Sequence, residues 1–238
     1  MLSGAVLLLV ALAWAPEAWP VGSSVLWALA AGSTGALGIT SLYTGLARGR
    51  AAVVAPTTAV VGAIIPVVFG LATKGLVAPL QLTGMAVALA GLWLVSAFTG
   101  DSVQGSSGLG YGLAGGLGVS GFLICIAQVQ SGSLIIPLLV ARVGGLAVAI
   151  LVLSRSHGTR PRLRGSVWAW SAGLCDATGN LLYVVAVAHL RIDLAAVLAS
   201  LYPAVTVLLA MRFLHQRVAG RQWLGVGLCL AGVGLISL

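Results

Sequence analysis

The chain has 238 residues, of which 60% are hydrophobic and only 7% are charged, and its net charge at pH 7 is +8. Soluble domains carry about 25% charged residues, so this composition excludes a soluble fold and indicates an integral membrane protein. The basic residues lie between apolar runs and form no continuous polar face, which favours positively charged membrane loops over a nucleic-acid-binding surface.

Nine apolar runs follow one another along the chain, and most are long enough to cross a bilayer as helices, which takes about 20 residues at a rise of about 1.5 Å each. The runs cover residues 2–14, 24–47, 51–73, 79–99, 108–129, 133–153, 166–188, 192–213 and 221–238. They do not alternate apolar with polar residues as barrel strands do, so we predict an all-α membrane protein with nine spans.

An internal repeat relates the two parts of the chain. When the sequence is shifted by 141 residues without gaps, residues 1–96 align with 142–237 and 22 of the 96 positions are identical. The identities include Trp27 with Trp168, Gln81 with Gln222, Gly84 with Gly225, and Gly91 with Gly232. We therefore predict two repeats, residues 1–99 and 108–238, each a unit of five helices. Since five is odd, the two units enter the membrane in opposite orientations, as in many secondary transporters.

The first repeat lacks a counterpart of the run 108–129, which opens the second repeat. Met1 aligns with Arg142, well inside the run 133–153, so the first run is only a partial helix. We expect that a first helix and part of the second are missing because of a late start codon. A cleaved signal peptide ending at Ala11-Leu12-Ala13 is the alternative, but this segment has no basic residue before its apolar run.

The charges of equivalent loops support opposite orientations. The loop that contains Glu17 corresponds to the Arg-rich loop 155–164, and the loop that contains Lys74 corresponds to the one with Arg217. Placing the Arg-rich loops in the cytoplasm leaves Lys74 and Arg191 outside. The N-terminus is then inside and the C-terminus outside.

These features resemble the drug/metabolite transporter superfamily, in its EamA-type branch. The resemblance rests on Gln81 to Gly91 and Gln222 to Gly232, on the segment Ala195 to Pro203, which is similar to an A-A-x-L-x-x-L-x-P helix, and on Arg142 early in the second helix of a repeat. It implies a ten-helix fold with a central cavity between the repeats, export of metabolites or drugs, and both termini in the cytoplasm. The nine runs and the charge distribution depart from this arrangement.

Polar residues inside the runs are candidates for substrate binding, because burying them in lipid is costly without a cavity or a partner. Asp176 lies deep in an apolar run, and Asn180 and Tyr183 follow at i+4 and i+7 on the same helical face. Arg142 is the candidate ion-pair partner of Asp176. The alternatives are a structural hydrogen bond for Asp176 and an interfacial anchor for Arg142.

Further candidates come from other runs. A proline frees the carbonyl one turn earlier and can open a helix, which applies to Pro56, Pro66 and Pro203. The candidate substrate-lining residues in these runs are Thr40, Tyr43, Thr57, Tyr202, Thr206 and Gln128. Their hydroxyl groups can instead bond to carbonyls in their own helix.

We predict a secondary transporter in the bacterial cytoplasmic membrane that exports small metabolites or drugs by alternating access. Its partners are a small-molecule substrate and the lipid bilayer, with protons as a candidate co-substrate and no cofactor, metal or nucleic acid. No G-x-x-x-x-G-K-[ST] loop occurs to support ATP-driven transport. A non-transporting scaffold or truncated inactive product is the alternative. A membrane enzyme acting on lipid-linked substrates is disfavoured, because such enzymes usually need several acidic, His or Lys groups on one face. Only four carboxylates occur, and Glu17, Asp101 and Asp193 are predicted to lie in loops.

Overall fold

A computed structural model describes residues 2–14, 19, 22–48, 51–97, 108–129, 133–155, 167–202, 204–205, 208–209, 212 and 220–237. Within these ranges all regular structure is helical, and nine helices have defined bounds. They are α1 (Leu2–Trp14), α2 (Ser23–Arg48), α3 (Ala51–Lys74), α4 (Pro79–Ala97), α5 (Leu109–Ala127), α6 (Ile135–Arg155), α7 (Val167–His189), α8 (Ile192–Ala199) and α9 (Gly220–Ser237). Each predicted run thus contains a helix, and the predicted all-α membrane class is confirmed.

Five stretches in the described part of the chain are long and apolar enough to cross a membrane. They are Ser23–Arg48, Val53–Lys74, Leu109–Ala127, Ile135–Arg155 and Trp170–His189. A shorter apolar stretch covers Pro79–Val95. The 13 residues of α1 extend only about 20 Å. Each of the nine predicted runs therefore contains a helix, but the described helices are not equally suited to span a bilayer alone.

Two of the three prolines that could open helices, Pro56 and Pro66, lie inside α3. Helix α3 is continuous through both Pro56 and Pro66, so the suggested opening of this helix is wrong. Neighbouring groups can compensate for the carbonyls that the prolines free. Helix α8 instead ends at Ala199, and the hydroxyl and the N–H of Ser200 both donate to the carbonyl of Ala196, at 2.7 and 3.0 Å. Pro203 lies outside the described residues.

The chain forms two compact units, and each draws on both predicted repeats. The first unit contains Met1–Leu37 and Gly121–His189, and the second contains Gly38–Ser120 and Leu190–Leu238. In the first unit, α2 and α6 approach so closely that a Cβ atom added to Gly144 would lie 2.6 Å from the carbonyl oxygen of Leu29. Glycine at this position is therefore required by packing, and its cost in backbone entropy is offset by the close approach.

The second unit is built around the crossing of α4 and α9. A Cβ atom added to Gly232 would lie 2.8 Å from the oxygen of Gly84, and one added to Gly91 would lie 2.7 Å from the oxygen of Gly225. The contacting residue numbers rise along one helix as they fall along the other, so the two helices cross antiparallel. Close to the middle of the crossing, the Sγ atom of Cys229 lies 3.9 Å from the carbonyl oxygen of Ala88.

A hydrophobic core surrounds this crossing and extends to α3 and α8. Met85 of α4, Val67 of α3, Val197 of α8 and Val226 of α9 are all buried in it. Helix α5 packs on α3 through its glycines, and the Thr58 hydroxyl donates across this contact to the carbonyl of Gly112 at 3.1 Å. Such close backbone approaches are the usual means of association between membrane helices.

Candidate functional site

An ion pair between α6 and α7 is the main polar feature of the first unit. The Nη1 atom of Arg142 lies 2.6 Å from the Oδ2 atom of Asp176, and the Arg142 side chain is 11% exposed whereas that of Asp176 is 43% exposed. The amide of Asn180, one turn along α7, donates to the same oxygen at 3.5 Å. The structure thus brings together the charged pair and the amide that the sequence singled out.

The guanidinium of Arg142 is only partly satisfied by these contacts. Its Nη2 atom is buried and meets no hydrogen-bond acceptor among the residues that the structure describes. Gly4 of α1 lies over the group, since a Cβ atom added there would lie 3.3 Å from Arg142 Cζ and 2.9 Å from the Gly173 carbonyl oxygen. A buried donor without an acceptor is costly, and more so when it is charged.

Tyr183 is placed differently from the other two residues of its predicted face. It is 6% exposed, and its hydroxyl donates to the carbonyl of Leu123 in α5 at 3.2 Å. Tyr183 also lines a cavity of about 140 Å³ together with Ile126, Ser133 and Pro137. Gln128 lies in the turn that follows α5, and its side chain is partly exposed. Tyr183 therefore holds α5 against α7 within this unit.

In the second unit, two phenol groups are accessible and the threonines bond locally. Tyr43 is 66% exposed and Tyr202 is 52% exposed. The hydroxyl of Thr57 donates to the carbonyl of Val53 at 2.7 Å, in its own helix. The carbonyl of Thr40 accepts the hydroxyl of Thr44 at 2.7 Å, and the side chain of Thr40 is partly buried. Thr206 lies outside the described residues.

A second ion pair, in the second unit, was missed by the sequence reasoning. Asp193 was predicted to lie in a loop, but it is in the first turn of α8 and its side chain is 0% exposed, because α8 packs against α3 near Gly70. Arg191 Nη2 lies 2.8 Å from Asp193 Oδ2, and Arg191 Nη1 donates to the carbonyl of Lys74 at 3.2 Å. The hydrogen bonds to Asp193 raise the pKa of the Arg191 guanidinium above its ordinary value.

This ion pair fixes the start of α8 against the end of α3. Asp193 also accepts the backbone N–H of Leu194 at 3.0 Å, where the N-terminal end of a helix favours a negative charge. The sequence signal that could have revealed it is the acidic residue two positions after an arginine, directly before an apolar run.

Comparison with known proteins bears on what these polar groups serve. The EamA-like transporter family matches residues 106–238, which is more than half of the chain. The chain belongs to the EamA-like transporter family. A probable 4-amino-4-deoxy-L-arabinose-phosphoundecaprenol flippase subunit ArnE from Klebsiella pneumoniae (strain 342) is 31% identical over 91 residues, which cover 36% of this chain and 81% of that protein.

Membership of the EamA-like family confirms the resemblance read from the closing helices of the repeats and from the segment Ala195 to Pro203. The protein is an integral membrane protein with several apolar helices, and its family points to transport across the membrane rather than to catalysis. The role of each polar residue in that transport is a separate question.

Proposed function

We propose that this EamA-like protein is a secondary transporter of the bacterial cytoplasmic membrane, which exports small metabolites or drugs by alternating access between inverted repeats at residues 1–99 and 108–238. Energy comes from a gradient, with protons as the candidate coupling ion. The substrate-binding residues of this proposal in the first unit are Asp176 and Asn180.

The reciprocal contact of α4 with α9 is the observation that carries the inverted repeat. Gly84 is equivalent to Gly225 and Gly91 to Gly232 in the repeat alignment, yet Gly84 contacts Gly232 and Gly91 contacts Gly225. A two-fold axis perpendicular to the helices produces this exchange of partners, as in any self-complementary contact. An axis parallel to the helices would instead pair Gly84 with Gly225.

Contacts in the first unit show approximately the same exchange of partners between equivalent positions. Gly4 of α1 faces Gly173 of α7, and the equivalent positions in the other repeat are Gly145 and Gly32. Gly32 contacts Ala141, which is about one helical turn from Gly145. Inverted repeats place the substrate site near the middle of the membrane, where an ionisable residue is rare and usually functional.

Asp176 carries the test of this mechanism. Purified protein is reconstituted into proteoliposomes, and uptake of a panel of amino acids, amines and organic acids is measured under an imposed proton gradient. We expect Asp176→Asn to abolish gradient-driven transport of any substrate found for the wild type, and Asp176→Glu to restore part of it. Thr178→Val is the control, because the hydroxyl of this exposed residue donates to the backbone carbonyl of Leu174 in the same helix.

The ion pair affects how this experiment is read. Asp176→Asn leaves the Arg142 guanidinium without its counter-ion, so stability falls as well and transport has to be expressed per folded molecule. Equal transport by folded mutant and wild-type protein at every pH would show that Asp176 only holds the helices together.

The similarity to a flippase subunit supports a second candidate function. The matched region covers most of that relative. Its name describes a subunit of a flippase for a sugar linked to a polyprenol phosphate. By this reading the present chain moves a lipid-linked phosphate substrate together with a second membrane protein. Translocation of a fluorescent undecaprenyl-phosphate sugar in proteoliposomes, combined with failure of all soluble substrates, would favour it over export of small solutes.

A further inference from the structure

The guanidinium of Arg142 has a buried donor without an acceptor among the described residues. One arm of the guanidinium bonds to Asp176 at 2.6 Å, and the Nη2 arm is buried without an acceptor in the described part of the chain. An arginine with a purely structural role is normally saturated by carboxylates and carbonyls. Arg191 provides the comparison within this protein, because both of its terminal nitrogen atoms have acceptors.

Helix α1 lies closely against Arg142 at Gly4. A Cβ atom added to Gly4 would lie 3.3 Å from Arg142 Cζ, 2.9 Å from the Gly173 carbonyl oxygen and 3.0 Å from the Ala177 Cβ atom. The 13-residue helix α1 covers the arginine and packs on both α6 and α7. Binding of an acceptor at Nη2 therefore requires α1 to move, whereas Asp176 can stay paired with Nη1.

We propose that Nη2 of Arg142 binds an oxygen atom of a carboxylate or phosphate group on the transported molecule. The planar guanidinium fork suits oxyanions, and Asp176 acts as the positioning residue that fixes its orientation. Asp176 is the more exposed member of the pair, so its remaining oxygen is available to a cationic group on the same substrate. This inference rests on the proposed function, since it names the chemical class of molecule that the transporter carries.

Binding is tested without transport, by measuring the melting temperature of the purified protein in detergent as anions are added at constant ionic strength. The probes are acetate, glycerol phosphate and dihexanoyl phosphatidic acid, with choline chloride as the reference salt. We expect at least one anion to raise the melting temperature of the wild type with saturation. Arg142→Gln should weaken its apparent affinity about tenfold or more, because a charge-assisted hydrogen bond is lost, and Arg142→Lys should weaken it less.

Arg155→Gln is the matched control, because Arg155 is an exposed arginine in the last turn of the same helix. It should respond to anions as the wild type does. If Arg142→Gln does not fold, the double variant Arg142→Gln/Asp176→Asn removes both charges and leaves neither unpaired. The double variant should fold and should lose the response to anions.

The outcomes separate the sources of the anion. Saturation by glycerol phosphate or acetate identifies a soluble substrate, and saturation by the phosphatidic acid alone identifies a lipid headgroup; both support the site. An equal response from wild type and the Arg142 variants, or no response of the wild type to any of the three anions, overturns it. Anion binding that persists in a protein inactive in every transport assay would refute the proposed function and leave the binding site standing.

Discussion

Replacing Gly232 by alanine adds a methyl group at the crossing of α4 and α9, where there is no room for it. The new Cβ atom would lie 2.7 Å from both the Cβ and the N atoms of Ala88 and 2.8 Å from the carbonyl oxygen of Gly84. Two of these three atoms belong to the backbone, so no rotation of a side chain relieves the overlap. Overpacking of this kind costs about 1–3 kcal/mol of unfolding free energy.

Gly234 gives a matched control two residues further along α9. A Cβ atom at this position would meet nothing within 4 Å, so alanine should add only its better helix propensity, about 0.5–1 kcal/mol. The two variants should therefore differ by about 1.5–4 kcal/mol, with Gly232→Ala less stable. Unfolding in mixed micelles of mild detergent and sodium dodecyl sulfate measures this difference.

The proposed two-fold relation makes the test more demanding. Gly91 is the repeat equivalent of Gly232, and its added Cβ would lie 2.7 Å from both Cys229 N and Gly225 O, so Gly91→Ala should cost about as much. If Gly232→Ala proves as stable as Gly234→Ala, the close crossing of the two helices is wrong. If Gly232→Ala is unstable and Gly91→Ala is not, the crossing is correct but its symmetry is not.

Three further predictions concern the site, the second ion pair and the topology. Asn180→Ala and Tyr183→Phe should each reduce transport less than Asp176→Asn does, because neither removes a charge; initial uptake rates per folded molecule test this, and a complete loss in either variant would contradict it. Arg191→Ala should lower the free energy of unfolding by about 2 kcal/mol or more, because it leaves the buried Asp193 carboxylate without its partly exposed cation. Asp193→Asn should lower it less. Equal losses of the two variants in detergent unfolding would refute this difference. After replacement of the native cysteines, single cysteines in the loop 155–165 should be protected from impermeant reagents added outside, whereas a C-terminal tag should be accessible; the reverse pattern would show that the positive-inside rule misassigns this protein.

The helices of this fold were predictable, but their lengths were less so. Apolar runs of about 20 residues indicate membrane helices because every backbone polar group in lipid must be bonded within its own segment. Hydropathy does not report where such a helix stops, and α8 ends at Ala199 inside a run that is apolar to residue 213. Pro56 and Pro66 gave the opposite error, since α3 continues through both of them.

The candidate site was also predictable only in part. Asp176 and Asn180 share a face because of helical periodicity, which the sequence specifies, and their contact was foreseeable from spacing alone. Pairing with Arg142 depends on how α6 packs against α7, and the sequence named Arg142 only as a candidate partner with an interfacial anchor as the alternative. The spacing of Arg191 and Asp193 is a sequence signal for their ion pair, but it does not report that Asp193 is buried. Contact with α3 at Gly70 removes the Asp193 side chain from solvent.

The different ends of α3 and α8 make the two repeats unequal in their stiffness. Residues 51–74 form one unbroken rod, whereas the equivalent segment that begins at residue 192 contains a joint at Ser200 after only eight helical residues. If the transport cycle exchanges the shapes of equivalent segments, it must straighten the joint at Ser200 and create a joint in α3. Pro56 and Pro66 favour a joint in α3, because neither has a backbone N–H that can donate to the helix. The forward and reverse halves of the proposed cycle would then have different barriers, and a transporter that works in this way would rest preferentially open to one side of the membrane.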